Sequence, residues 1–265
     1  MADSVSASVP PKISVVTVVH NNAATIEDTI LSVAAQTHPR VEHIVIDGAS
    51  TDGTLDVIRK YTDKLAVVRS EPDRGMYDAM NKGLALATGD VIGFLNADDV
   101  YADSRVLEEI VQTMETQKAD ACYGDLVYID RMDSRKVVRY WKSQTYQDGL
   151  FEKGWMPAHP TFYARRRIYE QYGGYDIAYR RQSDFELTMR FLVVHKIKSA
   201  YLPKVLVRMR SGGASRGLLH ILEGNIEAYR ACRQHSLKVT PLFIARKILS
   251  RVPQFFRRPR FEAAP

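Results

Sequence analysis

The first hundred residues alternate four times between short β-branched runs and stretches with helical spacing. Few folds accept that order. A strand, a helix and a second strand read as a parallel βαβ unit, and repeating the unit reads as an open α/β sheet. The runs are Ile13 to Val19, His43 to Asp47, Leu65 to Arg69 and Val91 to Leu95. They are nearly continuous in apolar residues, as strands covered on both faces are. Between them, Thr25 to Gln36 carries Ile26, Ile30, Leu31 and Val33 near the helical repeat, and Thr54 to Tyr61 and Met76 to Ala87 complete the set. Ligands of such sheets sit outside the carboxyl ends of the strands. Every run here meets a polar break at that end.

The alternation loosens beyond residue 100. Arg105 to Gln117 reads as helix, and Asp120 to Asp130 with Lys136 to Trp141 as a strand pair. Thr161 to Tyr163 reads as a short strand and Arg166 to Tyr172 as a short helix. Ser183 to Val194 reads as a helix whose Ser183 and Glu186 fit a capping box. Ala200 to Met209 is a strand, and Leu218 to His235 a long helix. Residues 1–12 read as a flexible tail, with no charged and apolar pattern of a signal peptide. No run reaches the roughly 18 apolar residues of a spanning helix. Cys122 and Cys232 lie far apart and form neither a metal spacing nor a disulfide framework, which suits a reducing compartment. The net charge of +6 suits phosphate-bearing small molecules, nucleic acid or an anionic membrane surface.

Three of the polar breaks carry chemistry. Val91 to Leu95 ends on Asn96-Ala97-Asp98-Asp99. Two adjacent carboxylates repel and resist ionisation. Either a divalent cation relieves them or they form a polar turn. Asp47 closes its strand and is followed by Gly48-Ala49-Ser50-Thr51-Asp52-Gly53. A carboxylate there can accept an N–H of a nucleobase, while Ser50 and Asp52 read as turn and cap. In Arg74-Gly75-Met76-Tyr77-Asp78-Ala79-Met80-Asn81, Asp78 and Asn81 share one helix face. Arg74 precedes the helix, where a cation does not help the dipole, so it reads as aimed at an anion such as a pyrophosphate.

These pieces, in this order and spacing, resemble the family 2 glycosyltransferases of the GT-A fold, over about residues 13–215. The Gly-Met-Tyr-Asp-Ala-Met-Asn segment is similar to that of enzymes extending lipid-linked bacterial surface polysaccharides. The resemblance implies an inverting transferase that takes a sugar from a nucleotide-diphosphate donor, UDP-sugar favoured, with Mn²⁺ or Mg²⁺ as cofactor. Thr17, Val19 and Asn21 would flank base and ribose. Asp47 would hold the base. Arg74, Asp78 and Asn81 would line the base and pyrophosphate region. Asn96 and Asp98 would face the donor, and Asp99, with Asp98, the metal. An acidic residue opening a late helix is the family's base, which implies Asp184; Glu186 is the fallback.

Trp155 and His159 read as a sugar-facing wall or as core. Arg210, before Gly212-Gly213, would hold the diphosphate, or its loop would act as a lid. No His stands there as a third metal ligand. Residues 216–265 form a basic amphipathic extension, with Arg246, Lys247, Arg251, Arg257, Arg258 and Arg260 among Leu242, Phe243, Ile248, Leu249, Phe255 and Phe256. It reads as lying on an anionic membrane or packing on the domain or a dimer partner. The expected partners are the sugar nucleotide and a glycan or polyprenyl-diphosphate-linked glycan acceptor, with no nucleic acid. The expected place is the cytoplasm, at the inner face of the membrane. The rivals are a sugar nucleotidyltransferase, for which the Gly-rich phosphate loop is missing after the first strand, and an inactive binding module.

Overall fold

The computed structural model describes residues 9–212 and 218–256. Its first half runs β1 (Ile13–Val19), α1 (Ile26–Ala34), β2 (Val41–Asp47), α2 (Thr54–Arg59), β3 (Val67–Ser70), α3 (Met76–Leu86) and β4 (Val91–Phe94). These strands pair in parallel in the order β3-β2-β1-β4, as the alternation predicts. Val19 lies beside Asp47, and Asp47 beside Ser70, so the carboxyl ends share one edge.

The two-residue period of β1 explains why helices cover both faces. Val16 and Val18 pack with Tyr77 and Met80 of α3. Ile13 and Val15 face the other way, into the cluster that holds Leu107, Ile110 and Met114. Those three belong to α4 (Val106–Gln117). Helix α3 lies very close to the sheet. A Cβ on Gly83 would stand 2.3 Å from Val16 Cγ1.

The second half departs from parallel order. It contains β5 (Asp99–Tyr101), α4, β6 (Ala121–Ile129), β7 (Val137–Trp141), β8 (Tyr163–Arg165), α5 (Arg166–Tyr172), α6 (Ser183–Met189) and β9 (Ser199–Arg210). Then come α7 (Leu218–Gln234), α8 (Leu242–Leu249) and α9 (Pro253–Phe256). β8 joins β4 antiparallel and continues the sheet through β6, β9 and β5. β6 and β9 are parallel, and β7 forms the expected hairpin on β6. Among the described residues no helix is long and apolar enough to cross a membrane.

Four expectations need correction. The tail is not free up to residue 12. Lys12 N donates to Asp90 (2.8 Å) and Lys12 Nζ to Glu42 (2.5 Å), while Arg40 binds the carbonyl of Pro10. Burial alone would raise the Glu42 carboxyl, but bonds from Lys12, Ser14 and Thr88 prevail and hold it at about 2. The strand expected at Thr161 starts at Tyr163, because Thr161 Oγ1 closes a tight turn onto the carbonyl of Ala158 (2.7 Å). β5 was not foreseen: three residues are too short to show a period. The helix from Ser183 keeps α-geometry only to Met189 and widens to a π-helix over Arg190–Val194. The expected boundary between residues 215 and 216, like Arg257, Arg258 and Arg260, lies outside the described residues.

Candidate active site

The edge where β1 and β2 end is closed by a lattice of short hydrogen bonds. Asn21 adopts a left-handed turn (φ 49°) and bridges to the next loop. Its N–H donates to Ser50 Oγ (2.8 Å), and its Oδ1 accepts from Thr51 N (2.8 Å). Asp52 accepts from Ala23 N and Thr54 N, each at 3.0 Å, as its turn reading expects, whereas the N-cap of α2 is Gly53. Within this frame Asp47 is fully buried. Its Oδ2 accepts from Ser50 N (3.0 Å) and Ser70 Oγ (2.6 Å), whereas Oδ1 has no partner among the described residues. A buried acceptor without a donor is costly, and a ligand N–H would satisfy it.

Thr17 corrects its expectation. It is fully buried, and its hydroxyl bonds His43 Nε2 at 2.9 Å, so the side chain is engaged inside the sheet. Val19 stays at the edge, paired with Asp47.

The turn after β4 is held from α1. Thr25 Oγ1 donates to the carbonyl of Ala97 (3.0 Å) and Thr29 Oγ1 to that of Asp99 (2.8 Å). Arg210 Nη1 donates to the carbonyl of Asp98 (3.2 Å), and its other arm pairs with Asp28 (2.5 Å). Arg210 thus fastens the turn to α1, and its guanidinium is engaged there rather than open to a diphosphate. Asp99 is fully buried; its Oδ2 accepts from Asn96 Nδ2 at 3.2 Å and its Oδ1 has no partner among the described residues. Burial and the charge of Asp98 push its carboxyl well above the usual range, and burial raises Asp98 too. An orphaned carboxylate oxygen beside a second carboxylate is a donor set that suits a hard divalent cation. Among the described residues no cluster of three His, Cys, Asp or Glu forms, so two carboxylates are what those residues offer.

Opposite expectations meet on α3. Arg74 is exposed and closes on Asp78, side chain at 2.9 Å and backbone N–H at 3.0 Å. These bonds hold the Asp78 carboxyl below its usual value. Asn81 does not face a ligand. Its Nδ2 donates to the carbonyl of Tyr175 (2.8 Å) and its Oδ1 accepts from Tyr175 N (2.9 Å). Both ends of the amide are taken by one backbone.

That clamp helps build the surroundings of Asp184. Tyr175 stacks on Tyr77 with centroids 5.5 Å apart, and Phe94 and His159 meet its edge. Tyr77 Oη donates to Asp184 Oδ1 (3.1 Å), and Phe185 N donates to the same atom (2.9 Å). Among the described residues no hydrogen bond goes to Oδ2. His159 is buried with Nε2 unpartnered. Burial lowers its imidazole while the charge of Asp184 works the other way. The sequence reading missed Tyr77. Its place in Gly75-Met76-Tyr77-Asp78 was visible, but its partner lies 107 residues away.

Glu186 and Ser183 do not form a capping box. The N-cap is Gln182, and Ser183 Oγ is buried without a partner. Glu186 instead bonds Arg190 Nε (2.8 Å) and His235 Nε2 (2.7 Å). Burial would raise its carboxyl; these bonds outweigh that and lower it. Such an anchored carboxylate is structural. Trp155 is half-buried among Tyr123, Tyr146 and Phe151, with its Nε1 unpartnered.

The chain is similar to known glycosyltransferases. The chain is 28% identical over 214 residues to a PGL/p-HBAD biosynthesis glycosyltransferase of Mycobacterium bovis, covering 79% of this chain and 81% of that one. It is 35% identical over 144 residues to the putative teichuronic acid biosynthesis glycosyltransferase TuaG of Bacillus subtilis, covering 53% and 57%. Its fold matches S. aureus TarS 1-349 with a TM-score of 0.66 at 17% identity, over 89% of this chain and 70% of that one. It also matches the mannosyltransferase PcManGT of Pyrobaculum calidifontis, solved with GDP-Man and Mn²⁺, with a TM-score of 0.62 at 22% identity, over 92% and 70%. The sequence profile named Glycosyl transferase family 2 matches residues 14–173, and the chain belongs to that family.

Proposed function

We propose that this glycosyltransferase moves a sugar from a UDP-sugar to a hydroxyl of a lipid-linked glycan, with a divalent cation and with inversion. The observation that carries the reading is the pair of orphaned, buried carboxylate oxygens, Asp47 Oδ1 and Asp99 Oδ1. Asp47 would accept the N–H of a uracil. Asp98 and Asp99 would hold Mn²⁺ or Mg²⁺, which when bound supplies positive charge against the diphosphate leaving group. Arg74, exposed on Asp78, has the freedom to turn to a phosphate.

Asp184 is the base of this reading. With Oδ1 fixed by Tyr77 and Phe185, its Oδ2 takes the acceptor proton as the new glycosidic bond forms. The bond from sugar to diphosphate breaks on the opposite side, so one displacement inverts the anomeric carbon. No covalent nucleophile is required. The relatives named for PGL/p-HBAD and teichuronic acid biosynthesis support a glycan or glycolipid acceptor. Family membership favours the transferase over a sugar nucleotidyltransferase or an inactive module.

The test is a panel of UDP-, GDP- and dTDP-sugars with and without Mn²⁺, read by thermal shift and nucleoside diphosphate release. UDP-sugars should stabilise the protein in the presence of Mn²⁺, and Asp99→Ala should abolish UDP release. A flat response to every donor, with and without metal, would overturn the reading.

A further inference from the structure

Helix α8 is apolar on two opposite sides. One side is in the core: Phe243 and Lys247 are each 1% exposed. The opposite side carries Leu242 (56% exposed), Ala245 and Leu249 (65%), and continues through Val252 (47%) to Phe256 (80%). The steps of three, four, three and four residues make one continuous stripe across α8 and α9. Ile248 widens it. A helix apolar on both sides is one that is covered on both sides.

The charge around the stripe indicates what covers it. From Glu227 to Glu262 the sequence contains nine Lys or Arg and no Asp or Glu between those two acids. The rest of the chain then has a small acidic excess, so the net charge of +6 comes from this segment alone. Arg230, Arg233, Lys238 and Arg246 are exposed within it. A depression beside the first turn of α8 is lined by Lys153, Lys238 and Arg246, with Glu152 and Phe243. An exposed apolar stripe on a segment this rich in cations suits a surface with acyl chains beneath and phosphate above. A protein partner of ordinary composition would leave so one-sided a field unmatched.

We propose that the outer face of α8 and α9 lies on an anionic lipid bilayer. The inner face then determines what the seating does. Lys247 Nζ donates to Gln182 Oε1 (2.7 Å) and sits 3.8 Å above the ring of Phe185. Phe243 meets Phe185 with centroids 6.2 Å apart. Gln182 and Phe185 bracket Asp184. Farther along, Arg139 holds Gln254 (2.7 Å) and lies over Phe255. The bilayer contact is thus tied to the turn that carries Asp184, and that turn would stand at a fixed height above the membrane. This consequence rests on the reading of Asp184 as base; the docking itself does not.

Co-sedimentation of the full chain with vesicles tests it. Binding is expected to vesicles of equal parts phosphatidylglycerol and phosphatidylcholine, and at least tenfold weaker to pure phosphatidylcholine. Leu249→Asp with Phe256→Asp, both at exposed positions, should lose at least tenfold in binding even at low salt, with thermal stability and UDP release unchanged. Arg246→Glu should weaken binding chiefly at low salt. Absence of binding by the wild type, equal binding to both vesicle types, or unchanged binding by the double variant would overturn the proposal. So would a dimer in size exclusion that the double variant dissolves, since the face would then belong to a second copy. Asp184→Asn separates the two readings: it should stop transfer and leave vesicle binding intact, whereas an active Asp184→Asn would sink the base and not the docking.

Discussion

The two halves of the site are built differently. At the edge where β1, β2 and β4 end, Asp47 and Asp99 are buried, and among the described residues each keeps one oxygen without a partner. Their frames come from the loops and from α1: the loop after β1 ties to the loop after β2, and α1 holds the turn after β4, with Arg210 of β9 fastening it. On the mixed half, Asp184 has one oxygen held by Tyr77 and Phe185 and the other left open. Its frame is assembled from distant parts of the chain, α3 on one side and α8 on the other. An orphaned buried oxygen is fitted to a donor or cation that would satisfy it. An oxygen beside a fixed partner suits a group that gains and loses a proton.

Breaking each half should therefore fail in a different way. Asp99→Ala should reduce UDP release from the donor by about a thousandfold or more, the scale of losing a pre-placed charge in a transition state. It should also weaken UDP binding in Mn²⁺, measured by calorimetry. Relief of the repulsion with Asp98 should leave thermal stability equal or higher. Asp184→Asn should reduce turnover by roughly 10²–10⁴-fold, the usual range for a general base, with UDP affinity unchanged. If both variants lost UDP affinity alike, the division between the halves would collapse.

A smaller effect sharpens the comparison. Tyr77→Phe removes one hydrogen bond from Asp184 Oδ1 and keeps the stacking on Tyr175. Turnover should fall by about fivefold, near the 1 kcal/mol of one hydrogen bond, with UDP affinity untouched. A loss as large as that of Asp184→Asn would instead make Tyr77 a direct participant.

The halves also differ in how far the sequence discloses them. The parallel sheet and the edge bearing Asp47, Asp98 and Asp99 follow from periodicity and polar breaks, because strand ends in such a sheet must converge. Side-chain partners were not readable even there. Spacing places Asn81 on a helix face but says nothing of Tyr175, 94 residues on, which takes both ends of its amide. Thr17 looked like an edge residue until His43 was found against it. The mixed half defeats local patterns more thoroughly. Ser183 and Glu186 match a capping box in sequence, yet Arg190 and His235 take the carboxylate. An exposed stripe on α8 was legible as amphipathic, whereas its inward lysine was not.

That lysine gives the smallest predicted change in activity and a clear one in stability. Lys247 is 1% exposed, and burial lowers its ammonium from the ordinary 10.5 to about 7. The Gln182 carbonyl and the face of Phe185 favour the charged form, but burial outweighs them. The folded state therefore binds fewer protons than the unfolded chain between about 7 and 10.5. Its stabilising contribution is complete above the unfolded value and is lost as pH falls through the folded one. Wild-type stability should thus rise with pH across that window, by at most about 1.4 kcal/mol per unit from this group. Lys247→Met keeps the stem against Gly154, where a Cβ on the glycine would lie 2.6 Å from that of Lys247, and removes the titration. Denaturant unfolding at several pH values should show this contribution to the slope vanish in the variant, with turnover reduced by less than about fivefold through the slackened Gln182. An unchanged slope would mean that the ammonium stays charged in the fold, held by Phe185 and Gln182 more strongly than burial opposes it.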